Sequence, residues 1–95
     1  MVGEDPNNTF ARYGLAMEYS NTGDFDQALA QFEALLQRDE SYGAAYYHGG
    51  RALEKLERFD DARKMYEKGI EITTRKGDLH TRSEIETALS LLPTV

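Results

Sequence analysis

Apolar residues recur along this chain at helical spacing. Phe25, Ala28, Leu29, Phe32, Leu35 and Leu36 follow the i, i+3/i+4, i+7 rule of a helix with one buried face. Leu15, Ala16 and Tyr19 form a shorter stripe of the same kind. Two more follow, one through Phe59, Ala62, Tyr66, Gly69 and Ile70 and one through Ile85, Ala88, Leu89 and Leu92. The pattern predicts five helices and no strands, over about residues 9–21, 25–37, 42–56, 59–75 and 79–91. Asn8 or Thr9 is the expected N-cap of the first helix. Asp24 is expected to cap the second, with Gln27 completing a capping box, and Ser41 the third. The fourth has no good cap, because Glu57-Arg58 stand where Gly23-Asp24 stood. Gly77 suits the position after a helix end and Asp78 the next N-cap. Short connections make successive helices antiparallel neighbours.

The pattern also repeats. Residues 9–42 laid over 43–76 match at Ala11/Ala45, Tyr13/Tyr47, Phe25/Phe59, Asp26/Asp60, Ala28/Ala62 and Glu33/Glu67. Phe32/Tyr66, Leu36/Ile70 and Tyr19/Leu53 are conservative pairs in the same register. A fixed period of this length marks stacked helix-turn-helix units, none of which buries its own apolar face alone. Such an architecture points to a binding surface and away from a catalytic pocket. Ala28 and Ala62 are small where paired helices would cross. Gly49-Gly50 lie mid-helix, at about 1 kcal/mol each relative to alanine, which argues for close helix approach there.

The first unit has Arg12-x2-Leu15-Ala16-x2-Tyr19, Gly23-Asp24-Phe25 and Ala28-x3-Phe32. The second has Tyr46-x2-Gly49-Gly50-x2-Leu53, Phe59-Asp60 and Ala62-x3-Tyr66. This resembles the tetratricopeptide repeat pattern W-x2-L-G-x2-Y…A-x3-F…P. Arg12, Gly49, Glu40 and Thr74 depart from it at the aromatic, leucine and proline places. The resemblance implies an all-α solenoid: repeat one at 9–42, repeat two at 43–76 and a capping helix at 77–92, wound in a short right-handed superhelix. Asp5-Pro6-Asn7-Asn8 resembles the end of a preceding unit. The implied role is non-catalytic protein–protein interaction through a concave groove.

Composition narrows the classes further. The chain has 95 residues, enough for one small domain, and no cysteine, which excludes disulfides, thiol catalysis and thiolate zinc sites. No apolar run approaches a membrane span. The acidic N-terminus lacks the apolar core of a signal peptide, so a cytoplasmic location is the expectation. The net charge is −6, and residues 1–45 hold eight acids against two bases, Arg12 and Arg38. Nucleic acid is therefore an unsuitable partner.

Helix one carries a second apolar stripe, Phe10, Tyr13 and Met17, with Asn21 at its end. By the resemblance these are groove-lining places, matched in the second unit by Tyr47, His48, Arg51, Glu54 and Lys55, and by Arg82 in the closing helix. Arg51 and Arg82 suit a partner carboxylate, and Tyr47 suits a flat contact. The alternative use of the first stripe is a weak homodimer through helix one. The family's chaperone-tail clamp places hold Tyr13, Met17, His48, Asp78 and Arg82 here. Only Arg82 fits, so the resemblance does not imply that ligand. His48 and His80 lie on different helices, too few for a metal centre. Asp24-Phe25-Asp26 lacks the later ligands of a calcium loop. No metal or cofactor is expected.

Overall fold

Each amphipathic segment becomes a helix in the computed structural model, which describes residues 8–93. Among these residues the elements are α1 (Thr9–Asn21), α2 (Phe25–Arg38), α3 (Gly43–Lys55), α4 (Phe59–Lys76) and α5 (Leu79–Ser90), with no strand. Residues 1–7, including most of the Asp5-Pro6-Asn7-Asn8 segment, lie outside the described part.

Helix starts show where sequence signals succeed. Asn8 caps α1, its side chain accepting from the Ala11 N–H at 3.1 Å, and Asp78 caps α5 through the Thr81 N–H at 3.2 Å. The Thr81 side chain, then its backbone N–H, holds the Asp78 carboxyl below the usual carboxylate range. The other three helices start without a side-chain cap. Asp24 stays in water, and α2 begins from its carbonyl, which accepts the Ala28 N–H at 3.0 Å; the capping box with Gln27 does not form. Ser41 does not cap α3. Its N–H and hydroxyl turn back onto Asp39 Oδ1 at 3.1 and 2.7 Å, and Tyr42 takes the N-cap place. A carboxylate two residues away is a stronger acceptor than anything Ser41 could offer the helix.

Gly77 ends α4 at φ +73°, as its freedom at positive φ allows. Glu57 adopts the same left-handed region at φ 59° in the turn before α4, a position filled by Gly23 before α2. A residue with a Cβ is disfavoured there by about 1–2 kcal/mol.

Helices α1, α3 and α5 form one layer, with α2 and α4 behind them, and α3 touches all four others. The molecule is 18 Å across its shortest axis, close to two helix diameters. Ala16, Ala28, Phe32, Leu35 and Ala45 form one buried cluster between the first pair and α3. Leu29, Tyr46, Leu53, Tyr66, Ile72, Ile85 and Leu92 anchor the larger one.

The α3–α4 crossing is an exchange of tyrosines and glycines. A Cβ on Gly50 would lie 2.6 Å from Cδ1 and Cζ of Tyr66, and one on Gly69 would lie 2.6 Å from Cβ of Tyr46. Each tyrosine of one helix fills the space left by the glycine of the other. Both hydroxyls are satisfied: Tyr66 donates to Glu54, and Tyr46 donates to the Glu40 carbonyl at 2.7 Å. Burial pushes both phenols above their usual range.

One expectation about facing needs correction, and another is extended. Leu15 is 41% exposed, so α1 turns Ala16 inward and leaves Leu15 outside. Ala16 joins the buried cluster with Ala28, Phe32, Leu35 and Ala45, and Leu15 lies outside it. In α4 the buried face runs past Ile70 to Ile72 and Thr73. The Thr73 hydroxyl is satisfied by the Gly69 carbonyl at 2.8 Å.

Candidate functional site

On the face made by α1, α3 and α5, helix α3 forms a ridge with a hollow on each side. Tyr47, Arg51 and Lys55 are four residues apart and so share one side of that helix. A hollow of about 220 Å³ lies toward α1 and α2, lined by Ser20, Phe25, Tyr47, His48, Arg51, Ala52 and Lys55. A second, of about 300 Å³, lies toward α5; there Tyr47 and Arg51 meet His80, Ser83, Glu84, Thr87, Ala88 and Leu91. Leu91 is 76% exposed at its edge.

The ridge is tied to the core. The Arg51 guanidinium sits 3.8 Å from Glu54 and its Nη1 is 3.4 Å from the Tyr47 hydroxyl. Glu54 in turn accepts from the buried Tyr66. Behind the ridge, His48 stacks on Phe32 with ring centroids 6.2 Å apart and meets Tyr13 and Tyr47 edge-on at 6.0 and 5.0 Å.

The residues expected on this face separate into two groups. Tyr47, His48, Arg51 and Lys55 converge. The Phe10, Tyr13, Met17 stripe does not form one open surface. Phe10 is 72% exposed in the first turn of α1, whereas Tyr13 packs beside Phe32 and Tyr42, and Met17 lies against the buried cluster. Asn21 is exposed at the end of α1. Arg82 is not in the lining of either hollow and pairs with Glu86 at 3.3 Å. On α5 the hollow is lined by His80, Ser83, Glu84 and Thr87, polar residues with no motif of their own, together with Ala88 and, just past the helix end, Leu91. Their four-residue spacing from one another was the available signal. Ser20 and Phe25, flanking the first turn, had none.

Among the described residues no three His, Asp or Glu side chains converge on a point that could hold a metal ion. His80 lies 3.8 Å from Glu84, both well exposed. None of the described helices is long and apolar enough to cross a membrane.

Two paired helices, then two more in the same register, then a closing helix is an arrangement with known relatives. A tetratricopeptide repeat family model matches residues 13–75, most of the chain. The chain belongs to the tetratricopeptide repeat family. A TPR repeat-containing protein of Pseudomonas aeruginosa is 25% identical over 92 residues, spanning 97% of this chain and 88% of its own. A tetratricopeptide repeat domain protein from Salinibacter ruber, solved in solution, is 40% identical with a TM-score of 0.82, covering 90% of this chain and 86% of that one. A crystal structure of a tetratricopeptide repeat domain protein from the same organism is also 40% identical. Its TM-score is 0.80, covering 85% of this chain and 91% of that one. Tetratricopeptide folds generally mediate protein–protein interaction, and members of the family are typically non-catalytic.

The ring cluster predicts a pH dependence of stability. Burial lowers the His48 pKa; nearby Glu84 opposes the shift and Arg51 adds to it. A folded-state pKa below the unfolded value means that neutral His48 supports the fold. That support is complete above the unfolded pKa of about 6.5 and is lost as pH falls through the folded value. The denaturation midpoint should therefore begin to decline as pH falls below about 7.5 and go on declining through the lowered folded-state value. His48→Phe keeps the ring stack without the titrating nitrogens and should flatten that decline. An equally steep decline in the variant would assign the effect elsewhere.

Proposed function

We propose that this domain binds an extended segment of a protein partner across the α1/α3/α5 face and performs no catalysis. The observation that carries this reading is the Tyr47–Arg51 ridge with a hollow on each side. A rigid aromatic and a tethered guanidinium stand between two open, mixed apolar and polar cavities. Aromatic and arginine side chains are the residues that dominate protein–protein contacts. The division into two 34-residue units at 9–42 and 43–76 with a closing helix at 77–92 supports the same reading, because stacked units create a continuous concave face.

The alternative is structural self-association through α1. Phe10 and Leu15 are its open apolar residues. Tyr13 and Met17 already serve packing within the chain, which leaves that surface smaller than the stripe implied.

The test is to select random dodecapeptides against the domain and map the binders by amide chemical shifts. Perturbations should fall on the Tyr47, Arg51 and Lys55 face and on the facing sides of α1 and α5, and Tyr47→Glu should weaken binding at least about tenfold. Perturbations on the outer sides of α2 and α4, or binding unchanged by Tyr47→Glu, would overturn the groove assignment.

A further inference from the structure

The hollow between α1, α2 and α3 differs in charge from the rest of the molecule. The chain carries 17 acids against 11 bases. Yet this hollow is lined by two fixed cations, Arg51 and Lys55, and by no carboxylate. The α5 hollow sets Glu84 against Arg51, and the hollow on the opposite face mixes Glu33 and Asp61 with Arg58, Lys64 and Lys68. The acidic surplus therefore lies elsewhere on the surface.

The cations are also available. Arg51 is half-exposed, and of its five N–H donors one is directed at the Tyr47 hydroxyl at 3.4 Å, while Glu54 stands off at 3.8 Å. Glu54 itself is held by buried Tyr66, which leaves the guanidinium beside it without a hydrogen bond between them. Among the described residues Lys55 has no ion-pair partner. Phe25, Ala52 and the Tyr47 ring supply apolar surface beside the two charges.

We propose that this hollow receives a carboxylate side chain: the groove's partner is an acid-bearing protein segment whose Asp or Glu is paired by Arg51 and Lys55. Its methylenes rest against Phe25 and Ala52. This rests on the groove reading above and adds the chemistry of the ligand. The anchor differs from the family's chaperone-tail clamp, whose places hold Tyr13, Met17, His48, Asp78 and Arg82 in this chain. A basic segment, the occupant that net charge alone would suggest, meets two like charges here.

Dodecapeptides selected on the wild-type domain test it. They should share Asp or Glu at one position. Changing that residue to Asn or Gln should weaken binding about tenfold, as should Arg51→Gln/Lys55→Gln in the domain, with little further loss when both changes are combined. Lys55→Gln alone, which breaks no ion pair among the described residues, should give a smaller loss in the same direction and controls for folding. Peptides that bind this face without a shared acid would sink the carboxylate anchor and leave the groove reading standing. So would affinities indifferent to Arg51→Gln/Lys55→Gln. A selection that yields no peptide on this face would remove both.

Discussion

Gly50→Ala should destabilise the domain by about 2 kcal/mol, although the same substitution strengthens most helices. A Cβ at this position enters the Tyr66 ring, 2.6 Å from both Cδ1 and Cζ. The ring cannot step aside, since it is fully buried and its hydroxyl is bound to Glu54. Overpacking of this severity costs about 3 kcal/mol, and alanine's better helix propensity returns about 1. For a domain of this size the net change lowers the melting temperature by roughly 10 °C. Two neighbouring comparisons separate sterics from propensity. Gly49→Ala meets the Met65 Sδ at 2.5 Å, the far part of a flexible side chain that can swing away, so its effect should be small. Gly14→Ala, exposed within α1 with nothing in reach among the described residues, should stabilise by about 0.5–1 kcal/mol. Urea midpoints in the order Gly14→Ala, wild type, Gly49→Ala, Gly50→Ala are the expected result. A Gly50→Ala midpoint at or above wild type would mean that the α3–α4 crossing is looser than the tyrosine–glycine exchange implies.

Ala28→Leu and Ala62→Leu should each lose about 1–3 kcal/mol, while Ala30→Leu changes stability by less than about 0.5. Ala28 and Ala62 have no exposed surface and occupy equivalent places in the two helix pairs. Larger side chains there must push α1 from α2, or α3 from α4. Ala30 is two residues from Ala28 on the exposed side of α2. Denaturant midpoints that fall equally in all three variants would contradict the facing of α2.

These substitutions mark how far the chain could be read without its structure. The 3.6-residue apolar period placed all five helices within a residue or two of their ends, because burial of one face per helix is a local demand written into spacing. Ala28, Ala62 and Gly50 were legible as crossings for the same reason: a small residue on an apolar face has few explanations other than a close neighbour. Cap residues were less reliable. Asn8 and Asp78 hold their helix N–H groups, while Ser41 was taken by Asp39, since several short polar side chains compete for the same backbone donors.

The sequence alone determined the helix count, the repeat and the stripe Tyr47, Arg51, Lys55 on one side of α3. Only tertiary structure decided what surrounds that stripe. Leu15 stays outside the cluster that Ala16 joins, Tyr13 packs beside Phe32 and Tyr42, and Arg82 pairs with Glu86. The hollow beside Arg51 and Lys55 is assembled from Ser20, Phe25, Tyr47 and Ala52, which come from three different helices. Periodicity specifies which side of a helix is apolar. The rotation and approach of one helix against another depend on side-chain volumes in contact across long sequence separations, and those contacts exist only once the layers have packed.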